Sequence, residues 1–136
     1  MIYEINKIEG EFPHKFVVTR EKDALLYSAS TYLVSPEGKH LIFHKDIAKK
    51  FGLNLESILG GGYATQNKER PQMLEVGKAS KEFGSVPQEI LERFDLIREY
   101  QSIYPNLFDE ISIVPDTSQI KLPNWEELLK YGGNRQ

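Results

Sequence analysis

Apolar and polar positions change period several times along the chain, and each change marks an element. Lys15-Phe16-Val17-Val18-Thr19-Arg20 is β-branched and aromatic and follows the turn residues Gly10 and Pro13, which predicts a strand. Leu25 to Val34, with Tyr27, Thr31, Tyr32 and Leu33, predicts a second strand closed by the turn Ser35-Pro36-Glu37-Gly38. Lys39 to Phe43 then reads as a short strand completing a hairpin. Beyond it Ile47 and Phe51 stand four apart, with Gly52 after a basic end, so His44 to Phe51 predicts a short helix closed by glycine. Leu55 to Thr65 and Pro71 to Ala79 flank the polar turn Gln66 to Arg70 and predict an antiparallel pair, the first strand interrupted by Gly60-Gly61-Gly62. Ser85-Val86-Pro87-Gln88 resembles a capping box. After it, Ile90, Leu91, Phe94, Ile97 and Tyr100 form one apolar helical stripe. Tyr104-Pro105-Asn106 ends that helix, and Ile111 to Val114 predicts the last strand. Asn124 can cap a brief tail helix holding Trp125, Leu128 and Leu129.

The order β-β-β-α-β-β-α-β predicts an α+β fold: a single mixed, mainly antiparallel sheet with two main helices packed on it. Residues 1–116 are expected to form one domain, followed by a C-terminal extension over 117–136 with its tail helix. A chain of 136 residues, 40 % of them hydrophobic, can bury one sizeable core. The net charge of −3, with acidic and basic residues interspersed, gives no footprint for a nucleic-acid backbone or an anionic membrane surface. No apolar run approaches a membrane span, and the first residues lack the pattern of a signal peptide, so a cytoplasmic protein is expected. Cysteine is absent, which excludes a thiolate nucleophile, a disulfide and a cysteine-ligated metal. His40 and His44 are four apart, but the strand-like stretch between them would splay the rings, so no metal site is expected.

Two glycine-bearing segments carry the candidate chemistry. Gly60-Gly61-Gly62 and the stretch Gly77-Lys78-Ala79-Ser80-Lys81-Glu82-Phe83-Gly84 can turn backbone N–H groups into one space, as an oxyanion or phosphate site requires. A bulge or a tight strand crossing would use the same glycines. His44, at a strand-to-helix junction, would feel the positive end of a helix, which keeps the ring neutral as a general base needs; capping or packing is the plainer role. Lys15 could offer a point charge to an anion, or simply mark a strand edge. Ser80 could donate to an oxyanion, but no Gly-x-Ser-x-Gly elbow accompanies it, so it is not read as a nucleophile. Trp125 reads as a staple for the tail or as a contact in a homodimer.

Four segments together resemble the protein phosphohistidine phosphatase family, which includes the Janus and Ocnus proteins: Lys15-Phe16-Val17-Val18, Phe43-His44-Lys45-Asp46-Ile47, Leu59-Gly60-Gly61-Gly62, and Gly77 to Ser80 followed by Phe83-Gly84. Tyr104-Pro105 is a further echo, and the resemblance spans roughly Lys15 to Val114. It implies that family's fold, and a metal-independent phosphatase or phosphoramidate hydrolase acting on a phosphorylated protein or small phosphorylated ligand, without a cofactor. By the same resemblance His44 would be the general base, or itself a transient phosphate acceptor, and Lys15 would help to hold the anion. Backbone amides around Gly60, Gly61, Gly62, Tyr63, Ser80, Lys81 and Glu82 would surround the phosphoryl oxygens. Tyr63 stands where the family places an arginine, and no arginine occurs between Leu25 and Lys39. That departure motivates an alternative, a non-catalytic anion- or peptide-binding module on the same fold. A slip of one short loop would exchange His40 for His44 as the active histidine.

Overall fold

The computed structural model describes residues 2–20 and 23–114. These form a mixed α+β fold: an antiparallel-rich, six-stranded sheet, a separate two-stranded ribbon and a few short helices. The strands are β1 (Tyr3–Ile8), β2 (His14–Arg20), β3 (Ala24–Ser30), β4 (Tyr32–Ser35), β5 (Gly38–Leu41), β6 (Ile58–Gln66), β7 (Met73–Gly77) and β8 (Glu110–Val114). The main sheet runs β1-β3-β2-β6-β7-β8, while β4 and β5 pair only with each other. Contacts β2–β3, β2–β6 and β6–β7 are antiparallel, and the two outermost pairs, β1–β3 and β7–β8, are parallel. Among the described residues no helix is long and apolar enough to cross a membrane.

Alternation along the central strands sends side chains to two different layers. Phe16, Val18, Leu26, Ala64, Leu74 and Val76 face one layer, where they meet α2 (Gln88–Leu91) and α3 (Leu96–Ile103). Val17 and Ala29 face the other, where Ile47 of α1 (His44–Lys50) packs with Tyr27, Phe51 and Phe83 around it. Ile47 and Ala48 are fully buried. Burying the isoleucine alone contributes about 1.5–3 kcal/mol, which anchors α1, and with it His44, against the sheet.

Four expectations are corrected. Leu25 to Val34 is not one strand: the chain turns at the buried Thr31, whose N–H donates to Pro13 and whose carbonyl accepts from Ile42, so β4 leaves the main sheet to form the ribbon. The glycine triplet does not interrupt its strand. It runs through the middle of β6, and the irregularity is a one-residue register shift at Leu59, just before it. The helix after Pro87 breaks at Glu92–Asp95. On an unbroken helix at about 100° per residue Leu96 would point about 140° away from Leu91, and the break lets both reach the core, where they are 3 % and 1 % exposed. Finally, no capping side chain bonds the start of α2, where Pro87 stands as N-cap. The first strand, Tyr3–Ile8, was not foreseen. The tail helix around Trp125 and the 117–136 extension lie outside the described residues.

Candidate active site

The α1 face of the sheet collects most of the residues that the sequence singles out. Lys15 on β2 and Tyr63 on β6 are direct cross-strand partners, so both project to this face. His44 is the first residue of α1, and the turn before it is held by the Asp46 carboxylate, which accepts from the Phe43 N–H at 2.9 Å. The imidazole lies against the strand at Gly61. A Cβ there would stand 2.8 Å from His44 Cδ2, 2.8 Å from the Phe16 carbonyl oxygen and 3.1 Å from Ser80 Cβ, so only glycine lets the ring, the strand and the Ser80 loop meet. Gly60 and Gly62 serve the opposite face, where an added Cβ would lie 2.5 Å from the Ser85 carbonyl oxygen or 2.3 Å from that of Gly77.

His44 is 2 % exposed, and its Nε2 sits 2.8 Å from the Gly62 carbonyl oxygen. A carbonyl can only accept, so Nε2 carries the proton and donates, leaving Nδ1 with its lone pair. The Tyr63 ring meets the imidazole edge-on at 5.3 Å. Burial lowers the His44 pKa to about 4; the Gly62 bond pulls the other way, and the Lys15 charge lowers it further. The ring is therefore neutral at pH 7, as expected, with burial the main cause and the Lys15 charge adding to it.

Lys15 is 2 % exposed and donates from Nζ to the Ile42 carbonyl at 2.6 Å. Its ammonium lies 5.4 Å from the centroid of the Phe43 ring and 5.7 Å from that of Tyr63, a cation–π pocket. Burial lowers its pKa to about 8, opposed by the Glu82 and Asp46 carboxylates. It is a lysine held beside His44 in low dielectric, not one marking a solvent edge.

The Ser80 loop closes the site. Ser80 Oγ accepts from the N–H groups of Glu82 and Phe83, both at 3.1 Å, and donates to Glu82 Oε1 at 3.2 Å. The Gly61 and Ser80 N–H groups both donate to the Gly84 carbonyl, at 3.0 and 3.2 Å. These N–H groups already have acceptors, so an anion would reach those of Glu82 and Phe83 by replacing the serine hydroxyl. Glu82 Oε1 stands 4.0 Å from His44 Nδ1.

The structure therefore brings together His44, Lys15, Gly61, the Gly62 carbonyl, Tyr63, Ser80 and Glu82. Gly60 packs on the far face, and Lys81 is exposed on the loop. His40 is exposed on the ribbon, 3.1 Å from Ser35 Oγ, so of the two histidines left open by the sequence it is His44 that meets the glycine segments. Phe43 and the Ile42 carbonyl, which hold Lys15, were missed; the aromatic residue just before the histidine was the available signal. Among the described arginines, Arg70 pairs with Glu110, Arg93 lies over Tyr3, Arg98 is near Asp95 and Arg20 ends β2, so none reaches this site.

A second buried imidazole lies in the other layer. His14 is fully buried, with Nδ1 2.7 Å from the Tyr100 hydroxyl and Nε2 3.0 Å from the Gly10 carbonyl oxygen. Both ring nitrogens are engaged, and the ring is packed among Phe12 and Tyr100, which makes it a core residue. No family model matches the chain, and no curated protein matches it either.

Proposed function

We propose that the protein is a metal-independent phosphohydrolase of the phosphohistidine-phosphatase type, cytoplasmic and sharing that family's fold, in which His44 Nδ1 deprotonates the water that attacks a phosphoramidate phosphorus. The observation that carries the reading is the bond from His44 Nε2 to the Gly62 carbonyl, which fixes the tautomer and leaves Nδ1 as the basic atom beside a buried lysine. A general base has to be neutral and oriented before it can accept a proton, and both conditions are met by this ring. Lys15 supplies positive charge at close range, and the phosphoryl oxygens take the place of the Ser80 hydroxyl at the amides of Glu82 and Phe83.

In the reaction, water forms the new P–O bond and gives one proton to Nδ1. The P–N bond breaks with its electron pair passing to nitrogen. A phosphohistidine ring already protonated on its other nitrogen leaves as neutral imidazole, and Nδ1 returns its proton to solvent. What carries the phosphoryl group has room: an open groove of about 370 Å³, walled by Thr65, Asn67, Glu75 and Lys78, continues the same sheet face beyond Tyr63. This suits a phosphorylated protein segment.

The absence of arginine from the site among the described residues favours the alternative reading, an anion- or peptide-binding module without turnover. One assay decides. Release of phosphate from a phosphohistidine peptide in the presence of a chelator, abolished by His44→Ala, supports hydrolysis. A phosphate-induced rise in melting temperature without turnover supports the binding module.

A further inference from the structure

Glu82 is part of the loop through its backbone, yet its carboxylate is the more telling group. Its side chain is 32 % exposed, at the mouth of the site, and one oxygen is held by the Ser80 hydroxyl at 3.2 Å. The same oxygen, Oε1, stands 4.0 Å from His44 Nδ1. Because the Gly62 carbonyl keeps the imidazole proton on Nε2, these two facing atoms are both acceptors. They do not bond to each other. A water molecule that donates one hydrogen to each would span about 4.4 Å, from two bonds of roughly 2.8 Å at the water angle, close to the spacing seen.

We propose that Glu82 is a further catalytic residue, the second acceptor that, with His44 Nδ1, grips the attacking water and aims its free lone pair at phosphorus. The inference rests on the hydrolytic reading above and extends it. Proton transfer goes to His44; the Glu82 carboxylate accepts a hydrogen bond throughout and is not itself protonated. Its placement has a cost in ground-state binding, since a carboxylate beside a dianionic phosphoryl group repels it. A residue that harms anion binding while orienting the nucleophile gives a signature that no purely structural role gives: its removal should tighten anion binding and slow turnover together.

The experiment compares Glu82→Gln and Glu82→Ala with the unaltered protein on a phosphohistidine peptide, measuring kcat, KM and inhibition by inorganic phosphate. Both variants retain the Ser80 Oγ acceptor for the Glu82 and Phe83 amides, so the loop keeps its frame. The neutral amide of glutamine can still accept weakly, so kcat should fall in the order Glu, Gln, Ala, by about ten-fold or more for alanine. Phosphate inhibition should tighten at least roughly five-fold in both variants, the effect of removing one unit charge about 4 Å from another in a largely aqueous setting, and more where the phosphate is a dianion. A kcat that rises as binding tightens would show that the carboxylate only blocks the site, and overturn the proposal. Loss of both binding and turnover would assign Glu82 to the loop's architecture and overturn it too. If the unaltered protein turns over, His44→Ala abolishes this and Glu82→Ala does not slow it, the inference fails while the hydrolytic reading stands. An unaltered protein without turnover ends both.

Discussion

The buried His44 ring makes stability depend on pH in a calculable way. Its ordinary pKa of 6.5 is lowered to about 4 in the folded protein, burial being the main cause. Above pH 6.5 the ring is neutral whether the chain is folded or not, and its contribution is constant. As pH falls below 6.5 the unfolded chain takes up a proton that the folded chain refuses, so stability is lost, until the folded ring titrates near pH 4. Each pH unit in that window removes about 1.4 kcal/mol, or roughly 3 kcal/mol across it. His14 is buried too and its pKa is also lowered, so the unaltered protein alone would mix the two rings. The informative quantity is the difference from His44→Gln, whose amide can still donate to the Gly62 carbonyl but takes up no proton. Urea denaturation at half-unit steps from pH 4 to 7.5 should show the two proteins separated by a constant amount above 6.5 and converging or crossing as pH falls. Curves that stay parallel across the window, or that separate further towards acid in favour of histidine, would refute a ring held neutral by burial.

Gly61→Ala forces a methyl to within 2.8 Å of the His44 ring and of the Phe16 carbonyl oxygen, and chemical denaturation should record a loss of about 1–3 kcal/mol with a displaced His44 imidazole resonance. Lys15→Met removes an ammonium that burial disfavours, and is expected to leave the melting temperature in plain buffer undiminished while abolishing the rise that phosphate is expected to produce in the unaltered protein. Tyr100→Phe leaves His14 Nδ1 buried without its hydroxyl partner and should cost about 1–3 kcal/mol by the same denaturation measurement, with turnover unaffected because the pair lies in the other layer.

Much of the site was legible because its parts are local. Glycine beside strands, a histidine where a strand gives way to a helix, and a lysine leading an apolar strand are each visible within a few residues. What could not be read was how they are satisfied. Gly61 appeared as a donor in a bend, but it lies in a continuous strand, and its N–H reaches Gly84, 23 residues on, through a loop whose path no local pattern encodes. The largest cause of the neutral state of His44, burial, could not be foreseen, since it depends on Tyr63 and the Ser80 loop packing around the ring. Strand β1 escaped notice because its partner, β3, is parallel and its alternation slips between Ile5 and Lys7. The split of the long helix follows from a conflict between 3.6-residue periodicity and the need to bury Leu96 and Tyr100, which appears only when the sheet beneath is known.

The most direct test of the account is a phosphorus NMR time course of a phosphohistidine peptide with the unaltered protein and with His44→Ala, in chelator. The account predicts that the phosphoramidate signal decays into inorganic phosphate with the unaltered protein and persists, beyond its spontaneous rate, with the variant. Equal decay in both samples would contradict the assignment of His44 as the base, and persistence in both would remove hydrolysis altogether.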